Sequence, residues 1–280
     1  MSDTASTHSR SSHADKRIAI AGLGAVGVRL AEALLAGIPG CTLTAVSAND
    51  LVKAKAKFPD IGDSVKFVSI DQLEGLADIV VECAPSALLQ SIAEPFLKAG
   101  KTVVTLSAGA LLINWHLIEL ARAHGGQIVV PSGALLGLDA VTAAAEGNIH
   151  SVNMVTRKPV RGLVGAPYLV DNNISIDSID EPLRVFKGSP REAAIGFPAN
   201  LNVAVALALA GIGPDKTNLE IWADPSLQRN THTISVDSDS ASFTMSIENI
   251  PTDNPKTGRI TAQSVIAYLR KLNAPLRVGS

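Results

Sequence analysis

The chain has 280 residues, a formal net charge of −2, 46% hydrophobic residues and two cysteines. That balance lacks the basic footprint of a nucleic-acid binder or of a protein held to an anionic membrane, so the expected partners are small molecules and copies of the chain itself. No apolar run reaches the roughly 18 residues of a membrane helix. Cys41 and Cys83 are too few and too far apart for a disulfide framework or a zinc cluster, which predicts no metal and a reducing, cytoplasmic compartment.

Residues 1–15 are polar, Ser-rich and lack an apolar core, the composition of a disordered tail. A buried strand from Arg17 then runs into Gly22-Leu23-Gly24-Ala25-Val26-Gly27 and a helix ending near Leu35. This is a GxGxxG dinucleotide signal in its proper strand–turn–helix setting: Gly22 makes the turn, Gly24 admits a pyrophosphate and Gly27 lets helix and strand pack closely. The phosphates are expected on the helix N-terminus, where free N–H groups and the dipole favour anions. Strands at 41–47, 65–70, 77–83, 101–107 and 127–131 alternate with helices at 51–58, 86–99 and 114–124. Such βαβ repetition predicts a parallel sheet that binds ligands beyond its strand C-termini. The residues there are Ala84-Pro85, Ser107-Ala108-Gly109 and Ser132-Gly133-Ala134.

The pattern changes near Leu135. Strands at 151–156, 218–223, 230–236 and 242–247 surround one strongly helical segment, 201–209, and an amphipathic helix at 259–272 has the length to return to the first domain. The prediction is an α/β chain in which a Rossmann-type parallel sheet is followed by an α+β domain. Its divisions are a tail at 1–15, a dinucleotide-binding domain at 16–134, a substrate and dimerisation domain at 135–255, and a returning helix at 256–280.

Histidine titrates near neutrality and suits proton transfer in catalysis. Of the six, His232 alone falls on a predicted strand of the second domain, sharing a face with Ile234 and Val236. A hydrogen-bonded core histidine and a general acid–base both fit that position. Arg157 and Lys158, ending a predicted strand, are either a solvated strand end or the first choice of cations for an anionic substrate, with Lys187 and Arg229 behind them. Asp224 either orients the imidazole or forms a turn with Pro225. Asp50, just past the position of an NAD-type ribose acid, is within reach of the ribose, and no arginine at 47–50 stands ready for a 2′-phosphate, so NAD and NADP both stay open.

Several blocks together resemble the L-aspartate dehydrogenase family over nearly the whole chain after the tail. They are the glycine turn, Pro131-Ser-Gly-Ala134, Thr156-Arg-Lys-Pro159, Phe197-Pro-Ala-Asn-Leu-Asn-Val203 and Leu209-Ala-Gly-Ile-Gly213. Ala223-Asp-Pro225, Asn230-Thr-His232 and Asn254-Pro-Lys-Thr-Gly-Arg259 complete the set. The resemblance implies a homodimeric, NAD(P)-dependent oxidoreductase acting on CH–NH2 donors. Its reaction would be the reversible deamination of L-aspartate to iminoaspartate, which hydrolyses to oxaloacetate and ammonia or feeds NAD biosynthesis. It implies His232 as the catalytic residue and places Ala134 and Asn202 at the nicotinamide end; fold and family together put Ala84, Pro85 and Ala108 along the dinucleotide. From the residues alone, Asn202 also fits a helix cap. Two alternatives share the first domain: a dehydrogenase of another small amino or keto acid, and an inactive NAD(P)H-binding sensor.

Overall fold

The computed structural model describes residues 14–198, 201–251 and 258–279. Its first sheet contains β1 (Lys16–Ala21), β2 (Cys41–Ser47), β3 (Lys66–Phe67), β4 (Ile79–Glu82), β5 (Thr102–Thr105) and β6 (Gln127–Val129). Between them run α1 (Ala25–Leu35), α2 (Leu51–Ala56), α3 (Leu89–Lys98), α4 (Ala108–Leu111) and α5 (His116–His124). All strand pairs are parallel, in the order β3-β2-β1-β4-β5-β6. The order reverses between β1 and β4, the switch point where such sheets open a crevice at their C-terminal ends.

Strand alternation explains the double cover. Ile18 and Ile20 of β1 enter one core with Leu30 of α1, while Ala19 and Ala21 enter another with Ile92 and Phe96 of α3 and Leu117 of α5. Residues buried on both faces read as the continuous apolar run Ile-Ala-Ile-Ala, the signature of a sheet covered on both sides.

The second sheet follows α6 (Leu138–Ala145). It is built from β7 (Ile149–Lys158), β8 (Leu183–Gly188), β9 (Asn218–Ala223), β10 (Asn230–Ser238) and β11 (Ser242–Asn249), with α7 (Pro167–Asp171), α8 (Pro190–Gly196) and α9 (Asn202–Ala210) inserted before β9. The order is β11-β10-β7-β9-β8, antiparallel except for β7 with β9. Val152, Met154, Ile221, Ile234 and Val236 pack against Val141 of α6, Ala193 of α8 and Val205 of α9. The other face carries Asn153, Thr233, Ser235, Thr244 and Ser246, with hydroxyl pairs Thr233–Ser246 at 3.3 Å and Ser235–Thr244 at 3.0 Å. The last helix, α10 (Ile260–Leu272), returns to the first lobe, where Val265 and Leu269 join the core of Ile18 and Leu30.

Residues 1–13 of the expected tail, Ala199 and Asn200 of one family block, and 252–257, which include the boundary at 256 and most of the closing block, lie outside the described residues. The sequence pattern does not mark strand β8 or the helices α4, α6, α7 and α8. In β8, exposed Leu183, Arg184 and Lys187 interrupt the apolar pattern. Among the described residues, no helix is long and apolar enough to cross a membrane.

Candidate active site

A cavity of about 400 Å³ lies where the C-terminal ends of the first sheet face the helix-covered side of the second. Its floor begins at the glycine turn. Gly22 sits at φ +105°, and a β-carbon there would lie 2.6 Å from the Cys83 carbonyl oxygen, so only glycine fits. At Gly27 a β-carbon would collide with the Gly22 carbonyl, which lets α1 start directly beneath the turn. Gly24 opens onto free space and caps α1 without a side chain. The first intrahelical bond runs from Val28 N to Gly24 O at 3.0 Å, so the preceding N–H groups of Ala25 and Val26 are available to an anion.

Gly24, Ala25 and Val26 line the cavity, as do Ala84 and Pro85 beyond β4, Ala108 at the start of α4, Ala134 beyond β6 and Asn202 at the start of α9. Gly22, Leu23 and Gly27 shape the turn from behind. Leu23 is buried, and its carbonyl accepts from Lys57 Nζ at 3.2 Å. The open turn and its exposed helix N-terminus fit the pyrophosphate of a dinucleotide. Asn202 does not cap its helix: its Oδ1 accepts from Gly109 N at 3.0 Å, tying α9 to α4 and leaving the amide nitrogen to donate.

One wall holds a carboxyl group that the sequence reading missed. Glu82, at the end of β4, is fully buried beside the cavity. It accepts from Thr105 Oγ1 (2.9 Å), Leu106 N (3.1 Å), Ser107 N (2.9 Å) and Ser107 Oγ (3.0 Å), so it holds the turn between β5 and α4. Burial raises its carboxyl above the ordinary carboxylate range, and these hydrogen bonds oppose the rise without cancelling it. A lone Glu at the end of an apolar strand carries no motif, and its partners come from the neighbouring strand.

The opposite wall is the second sheet. His232 of β10 pairs with Thr156 of β7, and both are buried, with Thr156 Oγ1 3.2 Å from His232 Nδ1. That contact occupies Nδ1 and leaves Nε2 for the cavity. Lys158, two residues beyond Thr156, shares its face and lines the same cavity, together with Asn230. Burial first, then the Lys158 charge, pushes the imidazole down to about 3, so the ring is neutral at physiological pH.

One expectation is corrected, and two carboxylates find local partners. Arg157 lies between Thr156 and Lys158 and therefore points to the other face of the sheet, where it stacks on Trp222 at 4.9 Å and pairs with Asp224 at 3.4 Å. It is 41% exposed and does not line the cavity. Asp224 serves that ion pair and a turn, accepting from Ser226 N at 3.0 Å and Ser226 Oγ at 2.6 Å, so the partner of the imidazole is Thr156. Asp50 is the N-cap of α2, accepting from Lys53 N at 3.0 Å. Of the weaker cations, Lys187 pairs with Glu220 at 3.6 Å, away from the cavity.

Residues 139–272 match the family described as "Aspartate dehydrogenase, C-terminal", and residues 22–131 match "Homoserine dehydrogenase, NAD binding domain". An L-aspartate dehydrogenase of Bradyrhizobium diazoefficiens is 60% identical over 264 residues, covering 94% of each chain. L-aspartate dehydrogenase 3 of Bordetella bronchiseptica is 58% identical, covering 96% of this chain and 100% of that one. Among solved structures, aspartate dehydrogenase of Thermotoga maritima superposes with a TM-score of 0.73 at 24% identity, over 94% of this chain and 99% of that one, so the fold is shared. The dinucleotide turn, the two-sheet architecture and these relatives agree: the chain is an oxidoreductase that uses NAD or NADP, and it belongs to the L-aspartate dehydrogenase family.

Proposed function

We propose that the protein catalyses the reversible oxidative deamination of L-aspartate to iminoaspartate, which hydrolyses to oxaloacetate and ammonia or is drawn into NAD biosynthesis. The observation that carries this reading is the convergence of His232, Lys158, Asn202 and the open phosphate turn on one cavity. When bound there, the nicotinamide supplies the acceptor for the hydride from the α-carbon.

The chain's own residues supply the rest. Lys158 binds a substrate carboxylate from the sheet wall, a contact that a charged donor makes strong in a buried site. The neutral His232 imidazole takes a proton through Nε2 as the nitrogen or an attacking water deprotonates, and returns it in the aminating direction. Among its protein neighbours alone the ring is a weak base. A dianionic substrate offsets both the desolvation and the Lys158 charge, raising the imidazole toward neutrality when it is needed. Thr156 holds the ring orientation through Nδ1.

Gly24, Ala25, Val26, Ala84, Pro85, Ala108 and Ala134 are read as dinucleotide contacts, with Gly22, Leu23 and Gly27 as the frame of the turn. We place the dinucleotide-binding domain at 16–134 and the substrate domain at 135–255. The uncovered hydroxyl-rich face of the second sheet, where Arg157 and Arg184 flank Trp222 at 4.9 and 5.8 Å, supports a homodimer, and two free cysteines fit the cytoplasm. The decisive assay is NADH and NADPH oxidation with oxaloacetate, with and without ammonium, alongside aspartate-dependent reduction. Ammonium-dependent turnover in both directions is expected; turnover without ammonium refutes the amino acid reading. Sedimentation of the purified protein tests the dimer.

A further inference from the structure

Asn249, the last residue of β11, is 4% exposed and lines the cavity. Its amide Nδ2 donates to the Ala134 carbonyl at 2.8 Å. A carbonyl only accepts, so this bond fixes which end of the amide is nitrogen. The other end, Oδ1, is the buried side-chain polar atom that has no hydrogen-bond partner among the described residues. Buried acceptors are nearly always satisfied, and one left open beside a cavity calls for a donor from whatever fills that cavity.

Its place on the sheet is consistent with that role. Asn249 pairs across the ladder with Asn230, and the next inward-facing pair is His232 with Ile247. Asn249 therefore shares a face with Asn230 and His232, and Lys158 faces the same cavity from β7. Gly258 keeps the approach clear, since a β-carbon there would stand 3.2 Å from Oδ1.

We propose that Asn249 Oδ1 is a ligand-binding acceptor that takes an N–H from a nitrogen at the reacting end of the cavity. The nitrogen is either the substrate's amine (ammonia in the reverse direction) or the carboxamide of the nicotinamide. The inference rests on the reading of the cavity given above. By holding Ala134 with one end and the ligand with the other, Asn249 links the strand end of the first sheet to the wall that carries His232.

Asn249→Leu and Asn249→Asp test it. Both lose the bond to Ala134, but only Asp keeps an acceptor. Folding is checked by thermal unfolding, and Asn249→Ala replaces Leu if the bulkier variant does not fold. NADH Kd is read by fluorescence titration, and KM is measured for ammonium and oxaloacetate. The Leu variant should raise either NADH Kd or ammonium KM about tenfold, with Asp recovering to within about threefold of the wild type. A shift in NADH Kd that vanishes with the reduced 3-acetylpyridine analogue, which lacks the carboxamide nitrogen, identifies the cofactor as the donor. A shift confined to ammonium KM identifies the substrate nitrogen.

Unchanged NADH Kd and ammonium KM in a folded Leu or Ala variant overturn the proposal, and so does an equal loss in Leu and Asp. A wild-type protein that binds NADH but shows no ammonium-dependent oxidation refutes the aspartate reading alone. The NADH Kd of the variants then decides whether Asn249 binds the cofactor.

Discussion

Replacing Glu82 by glutamine and by leucine measures what the buried carboxyl group contributes to the turn after β5. Its Oε2 takes three donors, Thr105 Oγ1, Leu106 N and Ser107 N, at 2.9, 3.1 and 2.9 Å, while Oε1 meets Ser107 Oγ at 3.0 Å. Glutamine reproduces that set, because its carbonyl faces the three donors and its NH2 donates to the Ser107 hydroxyl, which rotates to accept. Leucine has a similar volume but strands two backbone N–H groups at roughly 1–3 kcal/mol each, about 2–6 kcal/mol together, while the hydroxyls turn to other partners. At about 2–4 °C per kcal/mol for a chain of this size, the Leu variant should lose roughly 4–24 °C in Tm and the Gln variant only about 2 °C.

The pH dependence supplies a second readout. The native carboxyl is raised above its ordinary value of 4.5, so above that pH the unfolded chain releases a proton that the native state still holds. Stability therefore falls as pH rises from there toward the native value, and Glu82→Gln should remove that component of the slope. The assay is thermal unfolding followed by circular dichroism across about pH 4 to 8 for all three proteins. A glutamine variant as destabilised as leucine, with the wild-type slope intact, would show that Glu82 is ionised and that the argument is wrong.

Other outcomes follow from the same geometry. His232→Ala should keep its NADH Kd while losing turnover by about 10² or more, and full activity would remove the imidazole from the chemistry. The wild-type imidazole, pushed down to about 3 from 6.5, leaves the native state unprotonated where the unfolded chain takes up a proton. Stability should accordingly be lost as pH falls through that window, and urea unfolding of His232→Asn should show a flatter acid limb. Lys158→Met should raise KM for oxaloacetate about tenfold or more, whereas Arg157→Ala should leave it unchanged and shift stability by no more than about 1 kcal/mol; the reverse pattern would mean that the two faces of β7 have been misassigned. Gly27→Ala should weaken NADH binding and lower Tm together, because the added methyl collides with the Gly22 carbonyl.

The sequence was most legible where one periodicity governs a whole element. Strands β2 and β9 appear at the bounds their alternating apolar residues imply, and alternation correctly turned His232 inward. The same alternation, applied to Arg157-Lys158, would have separated the two cations, since Thr156 and Lys158 must share a face that Arg157 cannot. What was not legible depends on contacts between distant segments. The Glu82 hydrogen bonds reach 23 to 25 residues along the chain, and Asn249 meets Ala134 across 115 residues. No local pattern marks either residue. Asp224 takes the turn that its Asp-Pro step suggests and Asp50 caps α2, because a carboxylate near a turn or a helix start satisfies nearby backbone first.

The polypeptide passes between its two lobes twice, once after β6 and again between β11 and α10. Hydrogen bonds fasten the first passage on both sides: Gly133 N donates to Ser264 Oγ at 3.1 Å, and the Ala134 carbonyl accepts from Asn249 at 2.8 Å. Two tethers leave less freedom than one. The side chains add to them, since Leu209 of α9 packs among Leu111 and Leu117 of the first lobe, so the wall bearing His232 is held against the one bearing the glycine turn by packing as well as by the chain. Cutting the chain before α10 would remove one of the two crossings, as well as Val265 and Leu269 from the core beneath the dinucleotide turn.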